Sequence, residues 1–211
     1  PLGWIPKERD AAELASVTPW ASGGTPNRAI TANWIGNVPL LTPKDMKSFE
    51  LHDTSEHISS KAAQSGSRLM PSETVFIVVR GMIIAHSFPV VLATRAMAFN
   101  QDIKAVSPCA KMRVRFLAHW FLANSDEFLR KVTEATHGTK KLDMEALLSM
   151  PIGLPTLAEQ DGIVARQAAI DDRYHEEALS LSKLKTLKIG LMDDLLTGRV
   201  RATPLLEAPT A

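Results

Sequence analysis

The chain has 211 residues, of which 45% are hydrophobic and 22% charged, with a formal net charge of +1; this is an ordinary globular composition with room for one core plus an extended element. No apolar run approaches the ~20 residues of a membrane span, so no membrane contact is expected. The single cysteine, Cys109, excludes an internal disulfide or a cysteine zinc cluster, reads as a small core residue, and points to an intracellular, cytoplasmic protein.

In chain order, residues 10–17 carry a weak amphipathic pattern, and Ser22-Gly23-Gly24-Thr25-Pro26-Asn27-Arg28 follows as a loop. Its glycines permit either a turn between two elements or the approach of backbone amides to a ligand. From Trp34 to Asp45 turn residues alternate with short apolar pairs, as in irregular strands, and residues 52–72 are polar and loop-like. Three β-rich runs come next, Thr74 to Val79, Met82 to His86 and Pro89 to Thr94, and predict an antiparallel meander at the centre of a sheet. Asn100-Gln101-Asp102-Ile103-Lys104 reads as a polar loop after the strands. Met112 to Ala123 and Ser125 to Ala135 read as two helices, the second begun by a serine cap. The aromatic residues of the first helix are core candidates. Thr136 to Lys141 breaks the helices, and Met144 to Ser149 is a short helical turn.

Thr156 to Thr197 reads as one long helix. Thr156 and Glu159 have the spacing of a capping box, Pro155 keeps the preceding chain extended, and Gly198 can supply the left-handed residue that ends it. At 1.5 Å per residue it is a rod of roughly 60 Å, longer than a domain of this size needs for its own core. The heptad seam runs through Ile163, Gln167, Ile170, Tyr174, Glu177, Leu181, Leu184, Lys188, Leu191 and Leu195. Its apolar members, Ile163, Ile170, Tyr174, Leu181, Leu184, Leu191 and Leu195, persist over five heptads and predict helix pairing. Gly190 inside the helix suggests close backbone approach or a kink. The fold class is α+β: a globular domain at 1–155 with a central antiparallel sheet, a coiled-coil helix at 156–199 and a flexible tail at 200–211.

Charge is unevenly placed. Residues 61–141 hold twelve Lys and Arg against five Asp and Glu, whereas acidic residues outnumber basic ones on either side. A basic domain joined to an acidic rod is compatible with nucleic acid for the first and a protein for the second. Catalytic constellations are missing: there is no glycine-rich dinucleotide or phosphate loop, and the six histidines show no metal-ligand spacing. The carboxylate pairs Asp171-Asp172, Glu176-Glu177 and Asp193-Asp194 are adjacent on a helix, and such neighbours do not face a common point. No catalytic residue and no metal site is assigned.

The ordered motifs resemble the specificity subunits of type I restriction-modification systems. The resemblance runs from the Gly3-Trp4 opening through Ser22 to Pro26, Trp34 with Gly36, Thr42-Pro43-Lys44-Asp45, Ile58-Ser59, Arg80-Gly81, Asn100 to Ala105 and Gly138-Thr139-Lys140. It continues through Leu154 to Gln160 and ends with Leu191 to Arg201, and these last two motifs are the most specific. Where the family usually has Leu-Pro-Pro before the helix this chain has Leu-Pro-Thr, and the capping box accounts for the change. The resemblance implies a target recognition domain followed by a conserved spacer and dimerisation helix. Its expected partners are double-stranded DNA, methyltransferase (M) subunits that carry S-adenosylmethionine, and the restriction (R) subunit. No cofactor is expected in the chain itself. The family unit normally occurs twice and here occurs once, which implies either a half-length form pairing as an antiparallel homodimer or one half of a longer subunit. The expected DNA-binding residues are Thr25, Asn27, Arg28, Lys44, Arg68, Asn100, Gln101, Lys104, Lys140 and Lys141. Within that set Arg68, Lys104, Lys140 and Lys141 are phosphate candidates, and Asn27, Arg28, Asn100 and Gln101 are base-edge candidates. Two other functions compete: a helix-pairing scaffold without a DNA role, and a single-strand binder stacking bases on Trp4, Trp20 and Trp34.

Overall fold

The computed structural model describes residues 10–134, 138–201 and 203. The expected Trp4 platform, part of the break at Thr136 and His137, and the tail at 202 and 204–211 lie outside the described residues. In chain order the elements are β1 (Asp10–Glu13), α1 (Leu14–Val17), β2 (Trp20–Ser22), β3 (Val38–Leu41), β4 (Glu50–Leu51), β5 (His57–Ile58), α2 (Ser60–Ser65), β6 (Leu69–Met70) and β7 (Val75–Val78). There follow β8 (Val90–Ala93), β9 (Met97–Phe99), β10 (Ile103–Val106), α3 (Val114–Ala123), α4 (Ser125–Leu129), β11 (Val132–Glu134), β12 (Lys140–Leu142), α5 (Met144–Leu148), β13 (Pro151–Leu154) and α6 (Leu157–Leu196).

The main sheet has the order β2-β10-β7-β8-β4. Every residue of β7 and β8 is buried, which is why their β-branched runs do not alternate with polar residues: both faces are covered. Pairing is antiparallel throughout except for the β4–β8 edge, which is parallel. Helix α3 supplies Phe116, Leu117 and Phe121 to the core. Trp120, Phe121 and Phe128 meet there at ring-centroid distances of 5.5 to 5.7 Å, so these aromatics are packing residues. A second sheet, β5-β3-β9-β6, encloses a smaller cluster of Leu40, Ile58, Ala62, Ala63 and Ala98.

Four local expectations are corrected. The run from Met82 to His86 is a 3-10 turn at Met82–Ala85 and not a strand; Gly81, at φ +122, swings the chain off the sheet, and buried Ile84 enters the core as a plug. The polar stretch 52–72 is no simple loop, because it contains β5, α2 and β6; Ser59 caps α2, its hydroxyl accepting the Ala62 N–H at 3.2 Å. Ile103 and Lys104 belong to β10 and not to a loop. Ser125 does not cap α4, since the helix starts from Asn124 directly after α3, and α4 ends at Leu129 because Val132–Glu134 pairs with Lys140–Leu142.

The long helix begins as its capping box implies: the Thr156 N–H donates to Glu159 Oε2 at 2.9 Å and the Glu159 N–H to Thr156 Oγ1 at 3.3 Å. It stops at Leu196, and Gly198 follows at φ +71. Arg199 turns back onto Asp193 at 2.7 Å and Asp194 at 3.3 Å, which gives that carboxylate pair a structural partner. No helix among the described residues is long and apolar enough to cross a membrane.

Two compact units result, residues 1–164 and 165–211. In the first, β1 pairs antiparallel with β13, closing the domain just before the helix starts. Fully buried Gln160 holds the first helical turn: its Oε1 accepts the Arg113 N–H at 2.7 Å, and its Nε2 donates to the carbonyls of Lys111 (2.9 Å) and Pro155 (2.8 Å). In the second unit, Ile170, Tyr174, Leu181, Leu184, Leu191 and Leu195 are all exposed, between 38% and 76%.

Candidate nucleic-acid interface

A cluster of three basic side chains is built by β10, β12 and the residues just beyond β7. Beyond β7 the chain stays paired: the Val79 N–H donates to Asp102 O at 2.8 Å, the Leu142 N–H to Val79 O at 2.9 Å, and the Gly81 N–H to Lys140 O at 2.9 Å. Arg80 faces Lys141 across this bridge. The β11–β12 hairpin is thereby clamped onto the chain just beyond the end of β7, while β10 brings Lys104 alongside. Arg80, Lys104 and Lys141, with Gln101, line one cavity of about 410 Å³ whose remaining walls are Val79 and Met144. Among the described residues no carboxylate lines it. Three like charges beside apolar walls form an unneutralised positive focus, which suits an anion.

Around this focus, Lys104 Nζ donates to Ser22 Oγ on β2, and Thr25 Oγ1 donates to Gln101 Oε1 at 2.8 Å. The loop from Ser22 to Arg28 is therefore tied to the basic cavity through two of its residues. Lys140 is spoken for: it bonds Glu134 at 2.8 Å, and that bond holds the Glu134 carboxyl below its ordinary range. Arg68 and Lys44 are exposed, yet neither lines the cavity. Beside Lys44, burial alone would raise the Asp45 carboxyl, but hydrogen bonds from the backbone and hydroxyl of both Ser55 and Thr42 outweigh it and hold the group below its ordinary value. This fixes the Thr42–Asp45 turn.

Three expectations change, two in the first loop and one at the turn into β10. The glycines of Ser22 to Pro26 approach the protein's own backbone: the Gly24 N–H is bonded to Phe99 O at 2.9 Å, and a Cβ on Gly23 would lie 2.1 Å from the same oxygen. The turn reading, and not ligand approach, describes them. Gly23→Ala should destabilise the domain by about 1–3 kcal/mol through overpacking; a urea midpoint unmoved by that change would mean the loop relaxes freely. Asn100 is buried at 8% exposure, its amide donating to Asp102 Oδ2 at 3.3 Å while its Oδ1 accepts the Asp102 N–H at 3.1 Å. That side chain shapes the turn into β10 and is not offered to a base edge. Asn27 likewise caps its own turn, its Oδ1 accepting the Ala29 N–H at 2.9 Å. Arg80 was not among the sequence-derived candidates, because Arg80-Gly81 reads only as a turn until β12 is seen to pair beside it.

The aromatic platform expected of a single-strand binder does not assemble from the described tryptophans. Trp20 packs edge-on against Phe121 at 6.1 Å and donates to Thr18 Oγ1 at 2.9 Å, and Trp34 lies under the Arg28 guanidinium at 4.1 Å.

Residues 6–186 match the type I restriction modification DNA specificity domain. The chain belongs to that family. Among relatives of this specificity domain, the specificity subunit of the Escherichia coli type I enzyme EcoR124I/EcoR124II is 29% identical over 153 residues, covering 72% of this chain and 38% of that protein. The MjaIX specificity subunit of Methanocaldococcus jannaschii is 26% identical over 176 residues, 81% of this chain and 40% of its own. The matches thus span about two fifths of the length of those relatives. The HsdS subunit of Thermoanaerobacter tengcongensis superposes with a TM-score of 0.67 at 20% identity, over 92% of this chain and 46% of that one. A second structure, from work on assembly and conformational transition of a type I restriction-modification system, gives 0.70 over 92% of this chain and 47% of that one. At such identities these likenesses speak for the fold, an α+β specificity domain with a long C-terminal helix.

Proposed function

We propose that this chain is a non-catalytic, cytoplasmic subunit that reads one half of a bipartite sequence in double-stranded DNA and docks methyltransferase and restriction subunits. S-adenosylmethionine belongs to the methyltransferase partner in this reading. The seam of the long helix pairs with a second such helix, either in an antiparallel homodimer or in the other half of a longer subunit. The observation that carries the proposal is the unneutralised Arg80–Lys104–Lys141 cavity on a specificity-domain fold. Cations placed by strand register can fix a duplex by its phosphates, while neighbouring loops reach base edges.

The footprint is tested by alanine at Arg80, Lys104 and Lys141 in the complex assembled with methyltransferase. Each should weaken binding to all sequences alike and lower the salt slope by about one unit. Lys140→Ala should do less, since that lysine is already paired with Glu134. An unchanged affinity and salt slope in the triple variant would place the footprint elsewhere. Absence of any DNA binding by the wild-type complex would favour the helix-pairing scaffold, for which the exposed seam is the supporting observation.

A further inference from the structure

One basic residue outside the cavity, on the loop that Thr25 ties to Gln101, is prepared in a different way. Arg28 is 62% exposed in its side chain, and its Nη2 meets both Glu56 oxygens, at 3.0 and 2.8 Å. Its Cζ lies over the Trp34 ring, 4.1 Å from the ring centre. Each holder is itself held. Trp34 Nε1 donates to Asn27 O at 3.3 Å, and its ring packs against the small core around Leu40 and Ile58. The Glu56 carbonyl accepts the Leu40 N–H at 2.9 Å and the Thr54 hydroxyl at 2.8 Å. The Asn27 carbonyl also takes the Asn33 amide at 3.1 Å, so residues 27–34 close on themselves into a stiff loop.

Exposed ion pairs add little to stability, and a carboxylate with an indole holding one surface guanidinium is not explained by folding. Pairing with Glu56 through Nη2 neutralises Arg28 as a general phosphate attractor, and the carboxylate and the Trp34 ring together restrict where the guanidinium sits. Among the described residues nothing bonds its Nε or Nη1. Two kinds of basic site result: Arg80, Lys104 and Lys141, which no carboxylate among the described residues pairs, suit the DNA backbone, and the charge-compensated Arg28 guanidinium suits a partner needing planar donors. On duplex DNA that partner is the O6 and N7 edge of guanine in the major groove. Ile30 and Ile35, 50% and 71% exposed on the same stretch, offer apolar contact to base methyl groups beside it.

We infer that Arg28 specifies a guanine in the half-site read by this domain, with Glu56 as its positioning residue and Trp34 as its platform. This rests on the DNA-reading function proposed above. The side-chain freedom that an unheld arginine would lose on binding is already restricted before DNA arrives.

The test selects bound duplexes from a randomised pool with the full chain assembled on its methyltransferase subunits, comparing wild type with Arg28→Ala, Arg28→Lys and Glu56→Gln, each first shown to melt like wild type. A guanine should be invariant at one position of the wild-type half-site. Arg28→Ala and Arg28→Lys should both relax that position by roughly ten- to a hundredfold while the other positions stay fixed. Glu56→Gln should relax the same position by less, which a purely structural ion pair would not do. A half-site without guanine, a lysine variant that keeps the wild-type preference, or an even loss across all sequences would overturn the assignment. A wild-type complex that selects no sequence would instead sink the DNA-reading function itself.

Discussion

Replacing Gln160 by alanine should destabilise the globular unit by about 3 kcal/mol or more, because three backbone groups lose their partner at once and each buried orphan costs about 1–3 kcal/mol. Those groups are the Arg113 N–H and the carbonyls of Lys111 and Pro155, all within 2.9 Å of the amide. The side chain is fully buried, so water must open the site before it can substitute. The neighbouring Arg113–Asp161 pair, at 2.8 Å, is exposed and should matter far less. Equilibrium unfolding in urea checks this: the midpoint should fall with the slope unchanged. A loss below about 1 kcal/mol would mean that the joint between the globular unit and the first turn of α6 relies on other contacts.

Putting glutamate at both Leu181 and Leu184 should abolish association of the long helix with its partner. These side chains are 53% and 59% exposed within the chain, so they contribute nothing to its own core. Burying a leucine is worth about 1.5–3 kcal/mol; losing two per helix weakens pairing by about a thousandfold or more. Sedimentation of the purified chain at micromolar concentration, with methylation by the reconstituted complex, reads the effect. If wild type and variant sediment alike and support the same methylation, the seam from Ile163 to Leu195 is not an interface. If the seam joins two identical chains in antiparallel fashion, the two-fold axis requires an inverted-repeat target.

The long helix was legible because its signals are local: a capping box three residues apart, a heptad stripe and a terminal glycine each act within a turn or two. The buried strands were legible as β-branched runs. What escaped depends on residues far apart in sequence. Met82 to His86 has strand composition, yet β12, some sixty residues later, takes the pairing beyond Val79, and the run becomes a turn. Asn100 reads as a free polar group until Asp102 and the β9–β10 junction are seen to enclose it. Gln160 reads only as one polar residue of the Leu154–Gln160 motif, since its three partners lie on segments that only the fold brings together. The basic site followed the same rule. Lys104 and Lys141 stood out as charges, whereas Arg80 joins them only through its bridge to Lys141, and the Arg28–Glu56–Trp34 arrangement needs β3 and β5 to place Glu56.

Sequence-specific reading of one half of a split target is tested by mapping adenine methylation on genomic DNA treated with this chain, its methyltransferase subunits and S-adenosylmethionine. A single bipartite motif is expected, two short read segments flanking an unread spacer, and it should be lost when Arg80, Lys104 and Lys141 are replaced together. Methylation scattered without a shared motif, or the same motif from methyltransferase subunits lacking this chain, would contradict it.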